Sequence, residues 1–253
     1  MKSTPKTYKR LGVVIAMDHE IQNLVTRHGL ASVRGIRSAD IWEVSIGGLA
    51  VGFINSGIGK VNAAVATTRL IDKFACDHIL VAGVSGALHD DLNIGDVVVA
   101  TGAFQHDFDL RPLALAKGVL PGHTQVVIDG DSHLCDRIAT AVELALQGSQ
   151  DQFRNAKIVK GIVASGDKII SSESDKSNIS AIVPEVQCVD METGAVAQIC
   201  QRENISWTAL RVMSDAADSN FSIADVLAFA QNEASWLIAE ALEILASPNS
   251  NRF

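Results

Sequence analysis

The sequence predicts an α/β protein built around a largely parallel β-sheet. Several short runs rich in Val and Ile are apolar at successive positions, which is typical of strands covered on both faces. Segments with apolar residues three and four positions apart separate these runs, and this spacing predicts amphipathic helices. Because strands alternate with helices along the chain, an α/β sandwich is the favoured architecture.

Seven of the apolar runs are predicted strands, each five or six residues long, which is the common length of a strand in globular proteins. In chain order they cover residues 11–16, 41–46, 51–55, 79–84, 97–101, 158–163 and 207–212.

Four segments are predicted helices, and they cover residues 62–74, 132–146, 192–200 and 223–245. The last is the clearest, because its apolar side chains from Ile223 to Leu245 recur at helical spacing and form one stripe. Ser222, followed three residues later by Asp225, resembles a capping box with Asp in place of the usual Glu.

No repeat or linker divides the chain, so residues 1–253 are predicted to form a single domain, with flexible tails at 1–9 and 247–253. Two stretches are irregular. Residues 104–130 contain two prolines and several glycines and form a longer connection than is usual in a compact domain. Residues 171–180 are polar and are interpreted as a mobile surface segment.

The composition excludes several classes of protein. Of the 253 residues, 47% are hydrophobic and 20% are charged, and the net charge is −8. Such a chain buries enough apolar surface to fold, which excludes a disordered protein. An acidic surface repels phosphate backbones, so no nucleic-acid partner is expected. No run approaches the roughly 20 apolar residues that span a bilayer, so no membrane partner is expected either.

The cysteines and the N-terminal residues favour a cytoplasmic location. Cys76, Cys135, Cys188 and Cys200 are far apart, which fits neither a disulfide framework nor a zinc site and predicts reduced, mostly buried thiols. The first apolar run is ended by acidic residues and has no cleavage site of the secretory type.

Two glycine-bearing turns and one acidic segment follow predicted strands. The segment AMDHE at 16–20 places acids at the end of a strand, where ligands bind in open α/β sheets. The turn NSGIGKVNAA at 55–64 lacks the spacing of a phosphate-binding loop, so Lys60 is not predicted to bind phosphate. In the turn at 82–96, Ser85 and Gly86 would let a ligand approach the backbone closely.

Two further acidic segments complete the candidate site. VDMETGAV at 189–196 places Asp190 and Glu192 at the entrance of a helix, and RVMSDAAD at 211–218 follows an apolar run. Acids at the ends of different strands can converge on one pocket and divide the roles of general acid and general base. Either segment alone is more often a helix cap. His106 and Asp107 are interpreted as a hydrogen-bonding pair at a strand end, since no partner ligands stand at metal spacing.

Taken in order, these segments resemble the nucleoside phosphorylase and hydrolase superfamily, and within it the 5′-methylthioadenosine/S-adenosylhomocysteine nucleosidases. The resemblance rests on seven segments and extends from residue 11 to about residue 245. They are VVIAMDHEI at 13–21, NSGIGKVNAA at 55–64, the turn at 83–87 with IGD at 94–96, QHDFD at 105–109, VASGDKII at 163–170, VDMETGAVA at 189–197 and RVMSDAAD at 211–218.

The resemblance implies a three-layer α/β/α sandwich with a central mixed, largely parallel sheet, usually a homodimer, that cleaves the N-glycosidic bond of a purine nucleoside with water. It implies that Glu20 handles the attacking water with help from Arg211, that Glu192 binds the ribose hydroxyls, and that Asp215 donates a proton towards N7 of the base. No cofactor or metal is implied. The implied substrate-binding residues are Met191, Ser214, Ile169, Ile170, Ser85, Gly86 and Phe221.

These residue types suit the chemistry. Glycosidic cleavage passes through an oxocarbenium-like state, which carboxylates near the sugar stabilise, and adenine needs an acid to leave. Phosphorolytic members of the superfamily resemble GDPxR near the first strand, where this chain reads AMDHE. A carboxylate at Glu20 would repel phosphate, so hydrolysis is favoured over phosphorolysis.

The sequence departs from the family pattern at positions that would touch the substrate. Ile169 stands where an aromatic residue is usual, and Ile223 occupies another such position, for which Phe221 is expected to compensate. The segment at 108–118 also differs from the commoner pattern. The alternatives are therefore a nucleosidase for another purine nucleoside, such as 6-amino-6-deoxyfutalosine, and with less support a phosphorylase or a non-catalytic nucleoside-binding protein.

Overall fold

The computed structural model describes residues 9–29, 41–149 and 153–247, which contain one nine-stranded mixed sheet. The strands are β1 (Arg10–Ile15), β2 (Trp42–Ile46), β3 (Leu49–Asn55), β4 (His78–Ala87), β5 (Val97–Gln105), β6 (Ile128–Asp129), β7 (Ile158–Ser165), β8 (Val186–Asp190) and β9 (Ser206–Asp215).

The helices of the described residues include seven α-helices, two 3₁₀ turns and one π-helical segment. The α-helices are α1 (Gln22–His28), α2 (Lys60–Asp72), α3 (Ser132–Gly148), α4 (Glu173–Ser180), α5 (Thr193–Glu203), α6 (Ile223–Phe229) and α7 (Ser235–Ala246). The 3₁₀ turns cover Asp18–Ile21 and Arg111–Leu113, and the π-helical segment Ala230–Ala234 joins α6 to α7.

The sheet follows the order β2-β3-β1-β4-β8-β7-β5-β6, and β9 pairs with both β4 and β5. The pairs β1–β3, β1–β4, β4–β9, β5–β7 and β7–β8 are parallel, whereas β2–β3, β4–β8, β5–β6 and β5–β9 are antiparallel. Because β9 bridges β4 and β5, five strands close into a ring. The expected mixed, largely parallel sheet is confirmed.

Helices cover both faces of the sheet, which gives the three expected layers. Alternate residues of β1 enter different cores: Val13 and Ile15 pack in one core and Val14 in the other. The first core also contains buried residues of α1, α3 and α7, and the second contains buried residues of α2 and α5. Continuous apolar runs are therefore needed in the central strands, because successive side chains are buried on opposite faces.

All seven predicted strands and all four predicted helical segments are present, with ends that differ by a few residues. The strands β6 and β8 and the helices α1 and α4 are not predicted. The interpretation of residues 171–180 as a mobile surface segment is wrong, because α4 lies there and the Ser172 hydroxyl accepts a hydrogen bond from the Asp175 amide at its start. The Ser222 cap of α6 is confirmed, since its hydroxyl accepts from the Asp225 amide at 3.4 Å.

The predicted tails fall mainly outside the described residues, and the single-domain prediction for residues 1–253 stays a prediction. The four cysteines are free and buried, as expected. Among the described residues, no helix has the length and apolar character needed to cross a bilayer.

Candidate active site

One pocket gathers the acidic segments singled out in the sequence at the carboxyl ends of β1, β8 and β9, where β4 also ends its parallel pairing with β9. It is lined by Ala16, Met17, Glu20, Ile58, Val84, Ser85, Gly86, Lys168, Ile169, Ile170, Val189, Asp190, Met191, Glu192, Ser214, Asp215, Phe221, Ile223 and Val226. Of the eleven site residues predicted from the sequence, ten line this pocket, and the eleventh, Arg211, is buried beside Glu192.

Glu20 is held at the start of a short helical turn by backbone amides. Its Oε2 accepts hydrogen bonds from the amides of Ala16 at 3.0 Å and Met17 at 2.9 Å, and its Oε1 accepts one from Val84 at 3.0 Å. The glutamate stands three residues after the N-cap Met17, the position from which a carboxylate can reach back to the helix start. Burial raises the pKa of Glu20, whereas the Arg211 charge and these amides oppose the rise. The result is a fixed carboxylate suited to accept a proton.

Strand β4 approaches Glu20 so closely that only glycine fits at position 83. A Cβ on Gly83 would overlap Oε1 of Glu20 and would lie 2.8 Å from Nη1 of Arg211. Two residues further on, the pairing of β4 with β9 shifts between Ser85 and Gly86. Bulges of this kind redirect side chains near active sites. Here the shift sets Gly86 opposite Asp215.

Glu192 is the N-cap residue of α5 and points back into the pocket. Its Oε1 accepts a hydrogen bond from the Gly59 amide at 2.9 Å, and its Oε2 lies 3.5 Å from Nη2 of Arg211. Burial, followed by the charge of Asp190, raises the pKa of Glu192 to about 7. The turn at 55–64 thus contributes through a backbone amide, and no phosphate-binding role of Lys60 is involved.

Arg211 is 1% exposed and is the buried counter-charge of this region. Its Nη2 lies 2.5 Å from Oδ2 of Asp190, and it also donates to the Thr193 hydroxyl. Its Nη1 reaches the Val84 carbonyl at 3.4 Å. The guanidinium therefore stands behind the carboxylates rather than on the pocket surface.

Asp215 ends β9 and lines the same pocket as Glu20. Its Oδ1 accepts from the Ala217 amide at 2.8 Å, and its Oδ2 accepts from the Ser214 hydroxyl at 2.8 Å. The hydroxyl of Ser85 donates to the Val189 carbonyl at 2.7 Å, which ties β4 to β8 beneath the pocket. Ser214 and Ser85 therefore orient the site through hydrogen bonds to neighbouring groups.

Apolar side chains form the remaining wall. Ile170 is buried, whereas Ile169 and Ile223 are each about half exposed at the pocket opening. Phe221 lies in the same wall, as expected from its position before Ile223. A flat, uncharged ring would contact aliphatic rather than aromatic surface at position 169.

Several lining residues are missing from the sequence-based set. Most of them, including Met17, Val84 and Lys168, are neighbours of predicted residues, so the same motifs could have identified them. Ile58 and Val226 come from the 55–64 turn and from α6, and no local pattern marks them as pocket residues.

His106 and Asp107 do not form the predicted pair. Asp107 instead accepts hydrogen bonds from Lys60 Nζ at 2.6 Å and from the Asp167 amide at 3.0 Å, while His106 Nε2 is buried without a partner. Both stand just outside the pocket lining. No group of three or more His, Cys, Asp or Glu side chains within the described ranges is placed to hold a metal ion.

The charge of the pocket is strongly one-sided. Among its described lining residues, four are acids, and the single cation is Lys168, whose ammonium group lies 2.7 Å from Asp175 outside the pocket. Such a surface favours a neutral or cationic ligand and disfavours an anion such as phosphate.

Comparison with known proteins places this geometry in context. Residues 10–246 match the family model of the phosphorylase superfamily. The 5′-methylthioadenosine/S-adenosylhomocysteine nucleosidase of Haemophilus influenzae (strain PittEE) is 32% identical over 93% of the chain and all of the relative, and that of Anoxybacillus flavithermus is 29% identical over 90% and 95%.

Solved structures agree with these relatives. The 5′-methylthioadenosine/S-adenosylhomocysteine nucleosidase of Neisseria meningitidis, in complex with methylthio-immucillin-A, superposes with a TM-score of 0.80 at 30% identity and covers 93% of this chain and 99% of its own. The futalosine hydrolase of Helicobacter pylori superposes with a TM-score of 0.74 at 26% identity and covers 94% and 97%.

Proposed function

We propose that this chain hydrolyses the N-glycosidic bond of a 5′-substituted adenosine and releases adenine. The chain belongs to the phosphorylase superfamily and, within it, to the 5′-methylthioadenosine/S-adenosylhomocysteine nucleosidases. The substrate is 5′-methylthioadenosine, S-adenosylhomocysteine or a close relative. The observation that carries the proposal is the convergence of Glu20, Glu192 and Asp215, from three separate elements, on one pocket.

The sugar is bound and attacked on the side of Glu20 and Glu192. Glu192 accepts hydrogen bonds from the ribose hydroxyls, with Met191 beside the sugar. Glu20 takes a proton from water as that water attacks the anomeric carbon, and Arg211, buried behind the carboxylates, assists through its charge near Glu20. The oxocarbenium-like transition state develops positive charge, which buried carboxylates stabilise without reorganising. The raised pKa of Glu20 supports its role as a base, because a very weak base would not remove the proton.

The purine is bound on the side of Asp215. Asp215 donates a proton towards N7, which lets adenine leave as a neutral base, and Ser214 orients its carboxyl group through the 2.8 Å hydrogen bond. Ile169, Ile170 and Phe221 pack against the ring, while the close backbone at Ser85 and Gly86 leaves room for the nucleoside.

Water rather than phosphate is the second substrate. A phosphate ion would need cations at the anomeric carbon, and the guanidinium of Arg211 is engaged by Asp190. The acidic lining offers the ion no unpaired cation among the described lining residues, because Lys168 is paired with Asp175. This charge pattern supports hydrolysis.

A nucleosidase acting on another adenosine derivative is the second candidate. The likeness to the futalosine hydrolase of Helicobacter pylori favours it, as does the departure from the family at Ile169 and at residues 108–118. Both candidates share the bond that is cleaved and differ in the substituent at C5′.

Adenine release from purified protein tests the proposal. We expect turnover of 5′-methylthioadenosine and S-adenosylhomocysteine in buffer without phosphate, with 6-amino-6-deoxyfutalosine in the same panel to rank the substituents. Tight binding of adenosine analogues without turnover of any panel member would refute the enzyme assignment and support a nucleoside-binding protein.

We further propose that the protein is a homodimer and is located in the cytoplasm. The family resemblance supports the dimer, and so do apolar side chains exposed at and after the 55–64 turn: Ile58 is 51%, Val61 75% and Val65 46% exposed. Four free, buried thiols support a reducing compartment.

A further inference from the structure

Asp190, which the proposed mechanism leaves without a role, is one of the most heavily hydrogen-bonded carboxylates of the described residues. It ends β8, is 7% exposed, and accepts hydrogen bonds from the hydroxyls of Ser165 and Thr193 and from the amides of Glu192 and Thr193. Two hydroxyls and two amides of this kind fix the carboxylate in place.

Arg211 stands among three buried carboxylates and is not shared equally between them. Its Nη2 lies 2.5 Å from Asp190 but 3.5 Å from Glu192. Glu20 takes its hydrogen bonds from three backbone amides instead. The Thr193 hydroxyl, which accepts from both Nε and Nη2, keeps the guanidinium turned towards Asp190.

We infer that Asp190 is a positioning residue, which anchors Arg211 and thereby keeps the guanidinium from forming a close ion pair with Glu192 or Glu20. The inference rests on the proposed function, because it concerns the two carboxylates that serve the sugar and the water. A carboxylate closed into a bidentate pair with arginine has both oxygens engaged by the cation, which makes it a weaker base towards a water proton and a weaker acceptor for a ribose hydroxyl.

The charges around this cluster make the inference measurable. The groups that face Glu192 and Arg211 are Glu20 from the first turn and Asp190 and Cys188 from β8, and His106 after β5 interacts with Asp190. The charge of Asp190 raises the pKa of Glu192, and that of Arg211 lowers it. Replacing Asp190 by a neutral residue therefore lowers the pKa of Glu192 on both counts, since it removes the anion and releases the arginine.

The test is Asp190→Asn, read by the pH dependence of kcat/KM for adenine release. In the wild type we expect the acid limb, where activity falls as Glu192 takes up a proton, to lie near pH 7. In Asp190→Asn we expect this limb to move to lower pH by at least about half a unit. We also expect a kcat about tenfold or more below wild type, because Arg211 then forms a close ion pair with Glu20 or Glu192. An acid limb at the wild-type pH would overturn the inference.

Ser165→Ala is the matched control, because it removes a hydrogen bond to the same carboxylate and changes no charge. We expect it to lower the melting temperature and leave the acid limb in place. Asp190→Glu keeps the charge and should also keep the acid limb. If Asp190→Asn does not fold, Ser165→Ala and Asp190→Glu test the inference instead. A shifted acid limb in either variant would mean that packing, and not the charge of Asp190, determines the pKa of Glu192, and would overturn the inference.

A measurement without substrate separates this inference from the proposed function. Because the folded-state pKa of Glu192, about 7, lies above its ordinary value of 4.5, the contribution of Glu192 to stability falls as pH rises from about 4.5 to about 7. We expect the melting temperature of Asp190→Asn to fall less over the same interval. An equal fall would overturn the inference even if the wild type releases adenine, whereas a protein that releases no adenine but shows the smaller fall would contradict only the proposed function.

Discussion

Glu20 and Glu192 are the same residue type, yet the structure gives their carboxyl groups different surroundings. Glu20 receives three backbone amides and feels the charge of Arg211 without a direct ion pair, whereas Glu192 receives one amide and lies 3.5 Å from the guanidinium. Burial raises the pKa of both. The roles proposed for them agree with these surroundings, since Glu20 would present a fixed base and Glu192 an acceptor beside a cation.

Asp215→Asn tests the acid at the purine side. The substitution keeps the shape of the side chain and its hydrogen bonds to Ala217 and Ser214 in reach, but an amide cannot deliver a proton to the leaving base. We expect kcat for adenine release to fall by about 10²- to 10⁴-fold, the usual contribution of general acid catalysis. Asp218→Asn is the matched control, three residues further along the same loop and outside the pocket lining, and should retain wild-type kcat. Near wild-type activity of Asp215→Asn would remove this residue from the mechanism.

Glu192→Gln tests the electrostatic cost of the buried acid. Above pH 7 the wild type must hold Glu192 charged, although its pKa of about 7 shows that the folded state prefers it neutral. The rise of this pKa from the ordinary value of 4.5 corresponds to on the order of 3 kcal/mol at high pH. We therefore expect Glu192→Gln to melt several degrees above wild type at pH 8, with a smaller difference at pH 5. An equal or lower melting temperature at pH 8, measured by calorimetry, would contradict this.

The sequence identified the pocket acids because their motifs are local, but it could not show how they share one arginine. Arg211, Asp190 and Glu192 lie on β9, β8 and the start of α5, and the distances of 2.5 and 3.5 Å arise only when those elements pack together. The partner of Asp107 is Lys60, 47 residues away, for the same reason.

At the scale of elements, the sequence predicts those strands and helices whose burial requires a recognisable pattern of apolar residues. Most central strands are continuous apolar runs because both faces are covered, and all seven predicted strands are found, whereas the central strand β8 is not predicted. Strand β6 has only two residues, and α4 buries a single side chain, Ile179. Neither element has a periodic pattern of apolar residues, and both form through contacts with segments that are distant in the sequence. The π-helical segment before α7 is not predicted either, because the apolar stripe continues through it without a break.

Gly83→Ala tests the close approach of β4 to the acidic cluster. A methyl group there overlaps Glu20 Oε1 and crowds Arg211 Nη1, so Glu20 must move away from the Val84 amide. We expect kcat to fall by roughly 10²-fold, the effect of a misplacement of about 1 Å at a reacting group.

Gly148→Ala is the control for Gly83→Ala. An added Cβ at the end of α3 meets no atom within 4 Å, so this variant should keep wild-type kcat. Wild-type kcat in Gly83→Ala would show that Glu20 tolerates displacement and would contradict its placement as the base.

At the scale of the whole molecule, the fold brings four distant stretches of chain to one end of the sheet. Parallel pairing of β1 with β4 and of β4 with β9 sets their carboxyl ends side by side, and α5 begins next to them. Ligands bind at such ends in open α/β sheets. Acids that follow separate strands in the sequence are therefore expected to meet at one site. Because helices cover the two faces of the sheet, a ligand enters the site at this end of the strands.

The homodimer is tested by light scattering on the purified protein. We expect twice the mass of a single chain. Val61→Lys, at a position that is 75% exposed on α2, should reduce that mass without lowering the melting temperature of the monomer, because it places a charge in an apolar contact. A single-chain mass for the wild type at assay concentration would contradict the dimer.

The central claim is that an acid-lined pocket uses water and excludes phosphate. The most direct measurement is the rate of adenine release from 5′-methylthioadenosine over a series of phosphate concentrations that begins at zero, with the sugar product identified by mass spectrometry. The full rate without phosphate, unchanged or reduced as phosphate is added and yielding the free sugar, is the predicted result. No adenine without phosphate, and a rate that rises with phosphate while the sugar 1-phosphate accumulates, would contradict the claim.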